Sequence, residues 1–351
     1  MTFEQTQFNT RGRIPLDSKV WNGPVDEYVT SEGLTPGFRK VIAEQVFKPA
    51  ETPQTPFYQR MVGSDLKEGD GWTERAVYLR EPRKFKPKAT AQDDLGYYES
   101  AGLEKTFVKN VEGWLPATLP SDLKTAEMML SYSSVGRLND AILQTVYDSY
   151  QLTMESAIET YAVTMTSHTM NVDVEGDGII TAMGNIMQRA TAMLGNEYHY
   201  NELTEEQNAK ILTNSKSVTL YLNADYLNAY KNAKSVLPSP SELVENVKVV
   251  PVYNHLPAPL TQEQWDAGTV DPEGDPITWE GDPPASLGDA APIGLLVDDR
   301  RYVYRPYRGT YRLNVSKNGA GDFSNTHLLW NGSLASRPWY NAVRINNVPS
   351  N

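Results

Sequence analysis

The chain contains no cysteine among its 351 residues. That absence excludes disulfide frameworks, thiolate nucleophiles, cysteine zinc sites and iron–sulfur ligation together. Histidine is almost as scarce: His168, His199, His255 and His327 show neither the i, i+4 pairing nor the His-x-Glu spacing of metal chemistry, and read as ordinary surface or packed residues. Long hydrophobic runs are missing too. No window approaches the roughly 18 to 20 consecutive apolar residues of a membrane span, and Met1 to Pro15 is polar rather than basic and then apolar. These features predict synthesis in a cytosol, no membrane partner, and stability drawn from packing and assembly.

Positive charge is also short, with 32 basic against 44 acidic residues and a formal charge of −12. A protein that grips nucleic acid through its phosphates carries the opposite sign. Catalytic signatures are lacking as well. Gly319-Ala-Gly321 has neither the third glycine nor the helix of a dinucleotide loop, and no phosphate loop or Gly-x-Ser-x-Gly elbow occurs. Asp173-Val-Glu175-Gly-Asp177-Gly178 opens like a calcium loop, but its twelfth position is Gly184 instead of a bidentate glutamate, so it reads as a turn. Asn314-Val-Ser316 and Asn331-Gly-Ser333 match glycosylation acceptors without a signal peptide to give them meaning. The expectation is no catalytic residue, no cofactor and no metal.

What is present is turn-rich and tyrosine-rich, with 24 glycines, 23 prolines and 20 tyrosines. Residues 1–34 carry scattered apolar side chains without a period and read as an extended arm that lies against something. Thr35-Pro36 opens a short helix whose stripe is Phe38, Val41, Ile42 and Val46. Alternation follows, at Arg75 to Arg80 and at Lys105 to Lys109, predicting two strands joined by a long polar stretch. Its charges are segregated. Arg75, Arg80, Arg83, Lys84, Lys86 and Lys88 come first, then Asp93, Asp94, Glu99 and Glu104. Half of such an excursion reaches up to about 80 Å at roughly 3.3 Å per residue, more than a monomer needs.

Leu138, Ile142, Val146, Tyr150, Met154, Ile158, Tyr161 and Met165 then recur at helical spacing, predicting one helix of about 30 residues and roughly 45 Å. A second amphipathic helix runs from Ile179 to Leu194. Ser217 to Leu222, a helix capped by Asn223, and Val247 to Val252 form a strand-helix-strand unit. Leu256 to Asp299 holds no lysine or arginine and reads as an acidic, proline-rich, solvent-exposed loop. From Arg300 onward eight basic residues face Asp322 alone, and strand-like runs at Tyr302–Arg305, Thr310–Val315, Thr326–Trp330 and Trp339–Ile345 close the chain. The basic run 75–88 interleaves Tyr78 and Phe85 as a nucleic-acid site would, yet complementary acid lies in the same chain. It is therefore read as a surface that docks on a neighbouring copy, giving register more than affinity.

In this order of elements the sequence resembles the major capsid protein of tailed double-stranded DNA bacteriophages, whose coat fold is shared with encapsulins and herpesvirus capsid floors. Ser217 to Val252, SVTLYLNADYLNAYKNAKSVLPSPSELVENVKVVPV, is similar to the strand, helix and strand of that family's axial domain. THLLWNGSLASRPWYNAVRI, Thr326 to Ile345, resembles the strands that return to its peripheral domain. The resemblance implies an α+β capsid fold: an N-terminal arm (1–34), an extended β-hairpin loop (60–112), and a peripheral domain (35–59 and 113–178) with a spine helix at about 134–167. An axial α/β domain (179–306) with an acidic loop at 256–292 and closing peripheral strands (307–351) complete it. It implies a non-enzymatic virion protein assembled in the host cytoplasm into pentamers and hexamers, with a separate scaffolding protein, a portal and packaged DNA held without sequence-specific binding. Arg75, Arg80, Arg83, Lys84, Lys86, Lys88, Asp93 and Asp94 are the expected contacts between subunits. Two other readings stay open at this point: an encapsulin-like compartment shell, and a carbohydrate-active or sugar-binding protein using its many aromatic and acidic residues.

Overall fold

The computed structural model describes residues 54–67, 71–79, 102–107, 111–119, 132–195, 200–211, 215–233, 246–267, 269–270, 276–277, 290–308, 312–318 and 323–348. The expected arm, the helix opening at Thr35, and Arg80, Arg83, Lys84, Lys86, Lys88, Asp93 and Asp94 lie outside the described residues.

The helices are α1 (Pro56–Met61), α2 (Tyr132–Thr164), α3 (Gly178–Leu194), α4 (Glu205–Ile211), α5 (Ala224–Ala233) and α6 (Gln262–Ala267). The strands begin with β1 (Leu66–Lys67), β2 (Trp72–Val77), β3 (Gly102–Phe107), β4 (Val111–Leu119), β5 (Thr169–Val172), β6 (Val218–Asn223) and β7 (Val247–Val252). They continue with β8 (Thr269–Val270), β9 (Pro276–Ile277), β10 (Gly294–Asp298), β11 (Tyr302–Arg308), β12 (Arg312–Asn318), β13 (Phe323–Ser336) and β14 (Ala342–Asn347).

The long helix α2 has 33 residues, and Val146, Tyr150, Met154, Ile158 and Tyr161 form its buried stripe. Two sheets flank it. In the first, the order is β1-β11-β13-β12, with β4 also paired to β13. Strand β13 is long enough to serve three partners: β12 along 323–329, β11 along 332–336, and β4 along 324–332. The second sheet runs β5-β14-β10-β6-β7, with β6 and β7 parallel and β10 antiparallel to both its neighbours. Its side chains alternate between two cores. Leu220, Leu222, Leu296, Val343 and Ile345 pack with Met183, Ile186 and Met193 of α3 and Leu227 of α5. Tyr221, Leu295, Val297 and Ala342 point the other way, into the core that holds the α2 stripe. Burial on both faces explains why all six residues of β6 are buried and why its sequence is nearly continuous in apolar character.

Three expectations are corrected. First, the closing strands divide: β13 joins the sheet against α2, but β14 lies in the α/β sheet between β5 and β10, and β11 belongs with β13. The 307–351 and 179–306 segments therefore exchange strands, because Val343 and Ile345 complete the α3 core. Second, the start of the expected acidic loop is packed rather than exposed. Leu256, Leu260 and Trp265 are buried, and the Leu260 amide donates to Thr164 Oγ1 at 3.1 Å at the end of α2. Third, β4 was not expected, since Gly113 and Pro116 break its strand texture. Gly113 is needed there: a Cβ would come within 2.5 Å of the Trp330 ring directly across the ladder. The Asp173 segment is a turn, with Asp173 Oδ1 accepting the Gly176 amide at 2.7 Å.

Candidate assembly site at the hairpin root

Among the described residues, strands β2 and β3 pair only with each other, forming a two-stranded ribbon in register from Trp72↔Phe107 to Val77↔Gly102. A lone ribbon is marginal in water, so its root must be held. Trp72 and Phe107 stack with centroids 4.2 Å apart, and both are buried against Leu66, Val303, Tyr307 and Ala335. Trp72 Nε1 donates to Ser333 Oγ at 3.4 Å, and the Arg305 and Arg337 guanidinium groups lie 4.9 and 5.5 Å from the Trp72 ring.

The alternation of strand residues gives the ribbon two faces. On the inward face Glu74 and Lys105 are directly opposite. Glu74 binds Arg337 at 2.5 Å. Burial lowers the Lys105 pKa, while the Glu202 carboxylate raises it and Arg301 lowers it. On the outward face Thr73 and Thr106 hydroxyls meet at 3.0 Å, and Arg75 pairs with Glu104 at 3.3 Å. Val77 at the far end of that face and Leu79, two residues past the end of β2, are 53% and 55% exposed. Polar pairs thus occupy the root of the outward face and apolar side chains follow. Of the eight expected contact residues, the structure places Arg75 alone, half-exposed on the outward face and already matched by Glu104 of the same ribbon. Trp72, Glu74, Lys105 and Arg337 were missed by sequence reasoning. The visible signal for them was the strand alternation itself, which puts Trp72 and Glu74 on the face opposite Arg75.

Elsewhere among the described residues, polar side chains bind one another and the backbone. His168 Nε2 lies 2.7 Å from the Asn201 carbonyl, and Asn201 exchanges two amide hydrogen bonds with Asn208. Asp299 accepts from Ser217 at 2.8 Å and from Thr219. Among the described residues no group of three or more potential ligands could hold a metal ion, and no helix is long and apolar enough to cross a membrane.

No family model and no curated protein matches the sequence. The fold does find matches. The capsid structure of Staphylococcus phage Andhra superposes with a TM-score of 0.55 at 10% identity, covering 85% of this chain and 86% of that one. The chain has the fold of phage capsid proteins. The head structure of Helicobacter pylori bacteriophage KHP40 gives 0.53 at 7% identity, over 86% and 94% of the two chains. The capsid of cyanophage P-SCSP1u gives 0.51 at 13%, over 86% and 90%. The expected α+β capsid fold is the fold observed, and the ribbon, α2 and the two sheets are its parts in this chain.

Proposed function

We propose that the chain is the structural major capsid protein of a tailed phage, without enzymatic activity, self-assembling into pentamers and hexamers of an icosahedral head that encloses double-stranded DNA. The observation that carries this is the capsid fold over about 85% of the chain. The ribbon adds support: its root is clamped while Val77 on its outward face and Leu79 just beyond β2 stand exposed. In this reading the sheet against α2 is the peripheral domain, the α/β sheet is the axial domain, and the ribbon overlaps a neighbouring copy. Heterologous contacts through long arms suit a closed shell, because they bury area without fixing one angle. The basic run Arg80, Arg83, Lys84, Lys86 and Lys88, with Asp93 and Asp94, then meets complementary charge on the next subunit, while Arg75 pairs with Glu104 inside the ribbon. Partners are other copies of the chain, a separate scaffolding protein, a portal, and DNA contained without sequence-specific binding. Assembly takes place in the host cytoplasm and the product resides in the virion.

The test is nuclease protection. Particles recovered from the phage-producing host should contain this chain and double-stranded DNA that resists added nuclease until the particles are disrupted. Recovery of the chain solely as free subunits, with all DNA digestible, would reject the reading.

A further inference from the structure

One charge on the inward face of the ribbon, Glu74, is tied to a hub at the junction of the two sheets. Glu74 holds Arg337 at 2.5 Å, and Arg337 Nη1 also donates to the Arg300 carbonyl at 3.0 Å. Arg301 Nη1 donates to the Arg337 carbonyl at 2.6 Å and to the Tyr340 carbonyl at 3.2 Å, and Arg301 Nη2 binds Glu202. Glu74, Arg337, Arg301 and Glu202 therefore form one chain of contacts. Arg301 is its buried member at 2% exposure, seated in the turn between β10 of the α/β sheet and β11 of the other sheet.

We infer that this chain of contacts sets the angle at which the ribbon leaves the subunit, with Arg301 as the positioning residue that refers β2, through Arg337 and Glu74, to the junction of the two sheets. The apolar stack of Trp72 on Phe107 resists withdrawal of the ribbon but is non-directional, so it allows rocking. Charge-assisted hydrogen bonds are directional, and the Glu74–Arg337 pair places such a restraint on β2. Leu79 lies five residues beyond Glu74 and two past the end of β2, up to about 17 Å away, so each 10° of tilt at the root displaces it by up to about 3 Å. Burial shields the Arg301 contacts from screening, whereas Arg75–Glu104 on the outward face is exposed and sets no angle. The consequence for shell geometry rests on the assembly reading above; the angle itself does not.

The cysteine-free sequence permits a direct test on the unassembled full-length chain. Spin labels on Leu79→Cys and Tyr253→Cys, both exposed, report the ribbon-to-body distance distribution by pulsed dipolar spectroscopy. Glu74→Gln with Glu202→Gln should broaden the distribution by up to about 3 Å for every 10° released, and Arg75→Gln should leave it unchanged. Arg301→Lys should broaden it similarly. If that variant does not fold, the glutamine pair, whose sites are part-exposed, decides the matter. An unchanged distribution in the glutamine pair, or equal broadening by Arg75→Gln, overturns the proposal. Failure of the labelled protein to assemble leaves this readout intact, so the chain of contacts and the assembly reading fail separately.

Discussion

Glu155 on α2 accepts the Phe57 amide of α1 at 3.0 Å, joining positions 98 residues apart. The Tyr58 amide binds the other oxygen at 2.6 Å, so the carboxylate satisfies two of the unpaired amides at the start of α1. Burial pushes this carboxyl up to about 7, against the two backbone hydrogen bonds that pull it down. The native state therefore holds a proton that the unfolded chain, with an ordinary value of 4.5, releases earlier. Native proton binding exceeds unfolded binding between these values, so this group's contribution to stability falls as pH rises from 4.5 to about 7 and is level above that. Thermal melts from pH 4.5 to 8 should show the loss, and Glu155→Gln should flatten it. An identical slope in the variant would show that another group carries it.

Trp72→Ala should release the ribbon root. It removes the Phe107 stack, the Ser333 hydrogen bond and the surface under Arg305 and Arg337, a loss of about 3 to 5 kcal/mol if all of it is felt. Limited proteolysis between 72 and 107 should accelerate well before the body melts. Trp72→Phe keeps a ring and gives up the hydrogen bond, at about 1 kcal/mol. Equal protease resistance in Trp72→Ala would mean that the ribbon is held elsewhere.

Two glycine substitutions should move stability in opposite directions. A Cβ at Gly332 would lie 2.5 Å from the Tyr304 ring, whose hydroxyl is 3.0 Å from that of Tyr150 in the core, so Gly332→Ala should cost about 1 to 3 kcal/mol. Gly184 sits inside α3 with nothing within 4 Å of a Cβ, and Gly184→Ala should gain roughly 0.5 to 1 kcal/mol. Chemical denaturation measures both. Equal effects would indicate that local packing at β13 is looser than the distances imply.

The strongly periodic elements were legible in the sequence. The stripe from Val146 to Tyr161 gave α2 its place, and β6, α5 and β7 followed from two apolar runs around a capped helix. The partition of the closing strands was not legible. Val343 and Ile345 say that β14 is half-buried, but not which of two cores it completes; that depends on contacts with β10, some fifty residues earlier. The same limit hid the root of the hairpin. The charge run drew attention to Arg75, although Glu74 makes the contact with the body of the subunit. A charge count ignores which face each strand residue occupies. Leu256, Leu260 and Trp265 were hidden by the surrounding carboxylates and prolines, which made the whole stretch read as solvent-facing.

Reversing Arg80, Arg83 and Lys84 to glutamate should leave the subunit soluble and folded but impair particle formation. The defect should vary with ionic strength, since exposed charges are screened beyond about 8 Å at physiological salt. Sedimentation velocity separates particles from subunits under each condition. Normal particle yield at low and high salt would remove the role proposed for this run.

The central claim, that this chain builds a closed shell, is tested most directly by negative-stain electron microscopy of the purified protein alone and with the cognate scaffolding protein. Closed icosahedral particles are expected in at least one of these conditions, with hexameric and pentameric clusters on their surface. Dispersed monomers in every condition, from protein that is demonstrably folded, would contradict it.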